Sequence, residues 1–402
     1  MPVLRPGPTG PARLITQGVM AFMPAAFALL RRFWPIPHFG NFYVVTRHDD
    51  VREVFATDAA FGVTYKPKLD VLMDGQPFIL GLADSPDYRR DLAALRQVVR
   101  QADLPVLAGR VEAMAQGIVA GSQGRLEVVD RLVRRVTFAF IQEYLGVPER
   151  PDLQAWCTRL FEYQFVSSDA PLAEEVKQIA PALRAHIQGE IERRRSHPGG
   201  KDDVLARCLA LQAQGAVGFS DAQIRTALMG LLVGGPPQPP MVVPQALEQL
   251  LRRPAAFRGA QDAARQGDDT ALAAYVREAM RFDPLAPGLP RVALREWTIA
   301  RGTAHQKIVP VGATVLAGFA SAMMDGRRVP NPRRFDVSRQ PHEYVHFGHG
   351  LHQCFGLYIN QATLHLMLKP LLTQRNLRRA AGAQGHLRKN GPFAEALTVE
   401  FD

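Results

Sequence analysis

Apolar residues recur three and four apart over most of the chain, and only a few short stretches alternate with period two. The helical spacing predicts helices over 51–56, 89–101, 106–119, 129–145, 172–195, 221–233, 244–252, 270–282 and 357–372. Ser220 stands where an N-cap would serve the helix that follows it. Strands are predicted for NFYVVT (41–46), ATVLAG (313–318) and ALTVEF (396–401). Strands this few and this distant in sequence predict a mainly α fold, with a minor β-sheet region joining the N-terminal third to the last quarter. Breaks fall at SHPGGKDD (196–203) and VGFSD (217–221), but no interior stretch reads as a linker, which predicts one large domain.

One interruption stands out. QIRTALMGLLV (223–233) reads as a helix entering a core, and MVVPQALEQLL (241–251) as one leaving it. Between them lies GGPPQPP (234–240), with a further proline at 244. An interior proline costs a helix about 3 kcal/mol, because it removes a donor and its ring crowds the preceding turn. A central helix broken at that cost calls for a reason.

Composition narrows the class. The chain has 402 residues, 47% hydrophobic and 21% charged, which is ample for a sizeable core. Its formal net charge of +10 is carried mostly by arginine. The densest basic run, IERRRSHPGGK (191–201), has no interleaved aromatics and reads as a solvated helix end, which speaks against a nucleic-acid site. Three cysteines, Cys157, Cys208 and Cys354, make no disulfide framework and fit a reducing, cytoplasmic setting. Residues 14–30 are uncharged, and AFA at 26–28 resembles a cleavage site. Pro24 and the Pro/Gly-rich approach argue against a secretory signal, and the run falls short of the ~20 residues of a span. It is predicted to be a buried or interfacial first helix, with membrane contact the lesser alternative. Only the first dozen residues, MPVLRPGPTGPA, are biased enough in composition to predict disorder.

The chemistry concentrates in HFGHGLHQCFG (346–356). Three histidines and a cysteine invite a zinc reading, but no second ligand pair with suitable spacing exists elsewhere. A lone cysteine at a helix start is most often a small packed residue. Here, however, Gly348, Gly350 and Gly356 let the backbone approach a flat surface or turn at positive φ. The helix from 357 would favour a thiolate at Cys354. His352 would hold an anionic group. Together these are what a loop needs to ligate a haem iron through sulfur and clasp a propionate.

The segment resembles the cysteine loop of the cytochrome P450 superfamily, Phe-x-x-Gly-x-(Arg or His)-x-Cys-x-Gly, filled here by Phe347, Gly350, His352, Cys354 and Gly356. The resemblance extends over about residues 35–402, and so implies an N-terminal extension or first helix (1–34) followed by a single P450 domain (35–402). It implies haem b (iron protoporphyrin IX) with Cys354 as axial ligand, Phe347 beside the sulfur, and His352 and Arg291 (in GLPRVAL) on the propionates. Glu278 and Arg281 (in EAMR) match the family's buried Glu-x-x-Arg pair, with Arg334 (in NPRRF) expected as third member. The family's His-x-x-x-Arg pair beneath the haem is matched by Arg96, but Leu92 stands in place of the histidine; Tyr88 lies one turn earlier on the same face.

Set against the family, residues 234–239 fall where Ala-Gly-x-(Asp/Glu)-Thr-Thr is usual. The acid is replaced by Pro237 and the threonine by Gln238, beside Gly234 and Gly235. In the family those two groups deliver protons as dioxygen is reduced. Proline cannot exchange a proton, and a neutral amide is a poor acid. The expectation is therefore an oxidoreductase acting on a hydrophobic small molecule by non-standard oxygen activation, either as a peroxygenase or by rearranging a substrate that is already oxidised. The alternatives are an ordinary monooxygenase fed by ferredoxin and ferredoxin reductase, and a non-catalytic haem-binding partner protein.

Overall fold

The computed structural model describes residues 6–167, 169–197 and 199–402. Residues 1–5 of the stretch predicted to be disordered lie outside it. Its described remainder is ordered: the Gly7 N–H donates to Glu162 Oε1 at 2.6 Å, and a helix begins at Gly10.

The fold is mainly helical with small sheets, as expected. Predicted helices recur with shifted ends, as at His48–Ala56, Pro86–Val98, Leu104–Ala120 and Ala170–Ser196. Asp269–Phe282 and Leu357–Leu372 also match. Ser220 caps Asp221–Gly234 through a reciprocal box with Gln223. The helix expected over 129–145 instead opens with a wide-turn segment, Val128–Arg134, before Arg135–Leu145. The patterning missed Leu153–Phe165, Val204–Ala213 and Pro254–Gln266.

Phe42–Val45 pairs in parallel with Thr314–Ala317, the predicted link between the N-terminal third and the last quarter. Leu289–Ala293 continues that sheet antiparallel to Thr314–Ala317, and Phe61–Val63 closes it. The predicted 396–401 strand divides into Phe393–Ala396, in a hairpin with Arg388–Asn390, and Thr398–Glu400, which joins Arg125–Glu127.

One large apolar cluster gathers residues from Tyr65 to Phe401 around Leu104–Ala120, Pro239–Leu251 and Leu357–Leu372. A second lies beneath the five-stranded sheet. A third, around Ile79, Tyr88 and Leu95, draws Ala227 and Leu231 of the helix before the break toward Leu351 and Phe355 of the cysteine loop.

The first helix, Gly10–Phe33, is not buried as one alternative had it. Phe27 is its only buried side chain.

Candidate active site

The cysteine loop folds by local rules. The Cys354 N–H donates to the Phe347 carbonyl at 2.9 Å, and Gln353 N–H to Gly350 O at 3.1 Å. Gly348 and Gly350 both sit at positive φ, +74° and +75°. Gly350 is also pressed on the end of His48–Ala56. A Cβ there would overlap the Phe55 carbonyl oxygen and stand 3.0 Å from Ala56 Cα, so no other residue fits without moving main chain. Gly356, unlike the other two, is not at positive φ. At φ −80° it is the N-cap of Leu357–Leu372, and a Cβ there would meet Cys354 Sγ at 3.8 Å, an ordinary contact.

Burial is the largest influence on the Cys354 thiol and pushes its pKa up, while the Gly356 N–H and the Asn360 amide, 3.9 Å from Sγ, pull it back. The helix start therefore acts as expected but does not by itself outweigh desolvation. The three loop histidines turn to different partners. His346 packs edge-on to Phe347, His349 Nε2 lies 3.3 Å from Arg52, and His352 sits edge-on to Tyr88. Phe347 reaches Cys354 through its main chain, and its ring turns to His346.

Arg291 is 3% exposed on its strand, stacked 5.0 Å from the Phe55 ring. Among the described residues its guanidinium donates one hydrogen bond, to the Pro290 carbonyl at 3.0 Å, and makes no ion pair. Desolvation lowers its pKa. Desolvation first, and then the nearby Arg291 charge, hold the His352 imidazole down at about 4. A buried guanidinium with no carboxylate, facing an imidazole that it depresses, is a site short of an anion. A thiol, an unpaired buried cation and a depressed imidazole together fit a propionate-bearing haem.

Tyr88, Leu92 and Arg96 share one face of Pro86–Val98 and line a cavity of about 420 Å³ with Gly350, Gln353 and Cys354. Tyr88 is tied to the loop through its hydroxyl, which donates to the Leu351 carbonyl at 2.7 Å. Arg96 is exposed at the rim, so Tyr88 makes the closer bond to the loop.

The loop is braced from behind. Glu278 and Arg281, both 0% exposed, pair at 2.7 Å. The third member is Arg339, not Arg334. Arg339 Nε lies 3.2 Å from Glu278 Oε1 and its Nη1 2.9 Å from Glu343, whereas Arg334 contributes only its carbonyl, which accepts from both arginines. Tyr344 Oη and the Asp336 N–H also donate to Glu278, at 3.1 and 3.0 Å. This network joins Asp269–Phe282 to the chain leading into the cysteine loop.

The central helix breaks where expected, over one turn. Asp221–Gly234 ends at Gly235, whose N–H bonds Leu231 O, and helix resumes at Pro239–Leu251. The second half starts five residues before the predicted 244, because Pro239 and Pro240 occupy the first two positions, where their missing N–H groups cost nothing. Gln238 is half-buried, and its amide nitrogen donates to the Gly234 carbonyl. Pro237 is buried, and Gly234 has open space at its Cβ position. Prolines at 236, 237 and 240 withdraw the donors that would serve the carbonyls of Leu232, Val233 and Pro236. The break thus offers hydrogen-bond acceptors and no acidic or hydroxyl donor.

A family model described as "Cytochrome P450" matches residues 138–379. The chain is 27% identical over 349 residues to vitamin D(3) 25-hydroxylase of Pseudonocardia autotrophica, covering 82% of this chain and 81% of that protein. It is likewise 27% identical over 350 residues to mycinamicin IV hydroxylase/epoxidase of Micromonospora griseorubida, covering 84% and 82%. The fold superposes on CYP109B1 from Bacillus subtilis with a TM-score of 0.76 at 20% identity, covering 94% of this chain and 98% of that one.

Proposed function

The chain belongs to the cytochrome P450 family of haem-thiolate oxidoreductases, and from that premise we propose that it converts a hydrophobic small molecule using an O–O bond delivered ready-made, in a peroxide or a hydroperoxide substrate. The observation that carries this reading is the helix break. Pro237 and Gln238 stand where proton donors would be, and Gln238 offers only a neutral amide, one N–H of which donates to the Gly234 carbonyl. When bound, the haem supplies redox chemistry at iron, and thiolate ligation favours O–O cleavage.

In this reading the cofactor is iron protoporphyrin IX, Cys354 is its ligand, and Arg291 and His352 hold its propionates, with Arg96 at the rim. Gly234 leaves room beside the break, Gly235 sits where a Cβ would press on the Leu231 carbonyl, and the carbonyls freed by the prolines accept a hydrogen bond from the substrate's O–H. Residues 35–402 form the catalytic domain and 1–34 the extension. Buried, unpaired Cys157 and Cys208 support a reducing compartment such as the cytoplasm.

A second reading, monooxygenation driven by ferredoxin and its reductase, is favoured by the hydroxylase and epoxidase names of the relatives. Turnover separates the two. The proposal expects product with peroxide or hydroperoxide alone, and product only with NAD(P)H, ferredoxin and dioxygen would overturn it. The cofactor assignment has its own readout. The reduced, carbon monoxide-bound protein should show the red-shifted Soret band of thiolate ligation. Cys354→Ala should abolish the band, while His352→Ala should only weaken haem retention.

A further inference from the structure

We propose that the outer face of the Gly10–Phe33 helix docks flat on an anionic membrane surface. A helix in water normally turns its apolar stripe to the protein and its charges outward. Here the polar side chains tie the helix down. Arg13 pairs with Glu395 at 2.8 Å near one end, and Arg31 Nη1 donates to Ser321 Oγ at 2.8 Å near the other. Phe27 is the one buried anchor between them. The opposite face carries Leu14 (72% exposed), Ile15, Val19, Phe22 (75%) and Leu29, with no charge among them.

The apolar face continues past the helix. Phe33 and Trp34 are exposed, and Trp34 packs edge-on to the exposed Phe39 at 6.0 Å. Aromatic side chains at one end of an apolar helix suit the level of lipid headgroups. Charge selects the lipid. The first 48 residues contain five arginines and no aspartate or glutamate, in a chain of net charge +10, and Arg32 stands exposed beside Phe33. Arg13, Arg31 and Arg47 are engaged on the protein side, so the attraction of an anionic leaflet rests on exposed Arg32 and on the chain's overall positive charge, which also repels a second copy.

The tethers decide between lying and spanning. At 24 residues the helix is long enough to cross a bilayer. The Arg13 and Arg31 contacts, about 27 Å apart along the helix at 1.5 Å per residue, hold it against the protein instead. It is therefore an in-plane element.

Vesicle flotation of the full-length haem-loaded protein tests this. Vesicles of phosphatidylcholine with phosphatidylglycerol should carry the protein up, and pure phosphatidylcholine should carry much less. The double variant Phe22→Asp, Leu29→Asp, both at exposed positions, should lose binding by about tenfold or more. Brominated lipid should quench Trp34, and Trp34→Phe should remove that quenching while leaving Trp156 and Trp297 as they were, a readout independent of folding in the double variant. Absence of flotation with either lipid overturns the proposal. So does a vesicle-free dimer that the double variant dissociates, which would make a second copy the occupant. Binding that resists carbonate extraction would overturn the in-plane geometry.

Discussion

Adding one methyl group at two neighbouring glycines should separate backbone strain from contact. Gly348 and Gly350 share nearly the same φ, +74° and +75°, so alanine at either pays the left-handed penalty of about 1 kcal/mol. Their surroundings differ. At Gly348 the nearest atom to an added Cβ is His352 O at 3.7 Å, an ordinary contact. At Gly350 the Cβ would overlap the Phe55 carbonyl, with Ala56 Cα at 3.0 Å. Those are main-chain atoms at a helix end and cannot rotate aside, so the loop must lift, at about 1–3 kcal/mol more. Gly348→Ala should therefore cost about 1 kcal/mol and Gly350→Ala about 2–4 kcal/mol. Urea unfolding measures both, and the carbon monoxide difference spectrum reports whether the lifted loop still presents Cys354. Equal destabilisation by the two variants would refute the seating of the loop on His48–Ala56.

Other outcomes follow from the same geometry. Glu278→Ala strands the buried guanidiniums of Arg281 and Arg339 and should destabilise by about 3–5 kcal/mol in thermal or urea melts, with Glu278→Gln less severe; a neutral Glu278→Ala would deny the brace. His352 is held at about 4 against an ordinary 6.5, so the unfolded chain binds more protons between those values. The haem-free protein should keep that contribution above pH 6.5 and lose it progressively as pH falls toward 4. His352→Gln should make the slope shallower without flattening it, because His346, held at about 3 chiefly by burial, titrates in the same sense. An unchanged slope would count against a buried neutral His352. Restoring an acid and an alcohol with Pro237→Asp, Gln238→Thr should raise reductase-driven turnover relative to peroxide-driven turnover. A pair of rates left in their original ratio would mean the break does not govern proton supply.

The turn geometry of the cysteine loop was legible because it is local: glycines at positive φ, a thiol one turn before a helix, an imidazole two residues away; that Gly350 must also clear Phe55 was not. The core helices were legible through their apolar stripes. Leu153–Phe165 escaped because Thr158, Glu162 and Gln164 are buried alongside its apolar residues, which blurs the period. Pro239 and Pro240 read as obstacles but serve as a helix start, a distinction that rests on where the preceding helix stops. Arg334 and Arg339 lie five residues apart in one irregular loop, and only its path, with Asn331 at φ +46°, decides which guanidinium turns in to Glu278. The first helix shows a further limit. Apolar patterning says that a face should be covered and leaves open what covers it.

We propose that this site uses an O–O bond it did not make. Anaerobic incubation of the haem-loaded protein with hydrogen peroxide plus hydrophobic substrates, or with a panel of hydrophobic hydroperoxides, in the absence of any reductant, tests it most directly. Oxidised or rearranged product is expected under these conditions. No conversion there, together with conversion that needs dioxygen, NAD(P)H and ferredoxin, would contradict it.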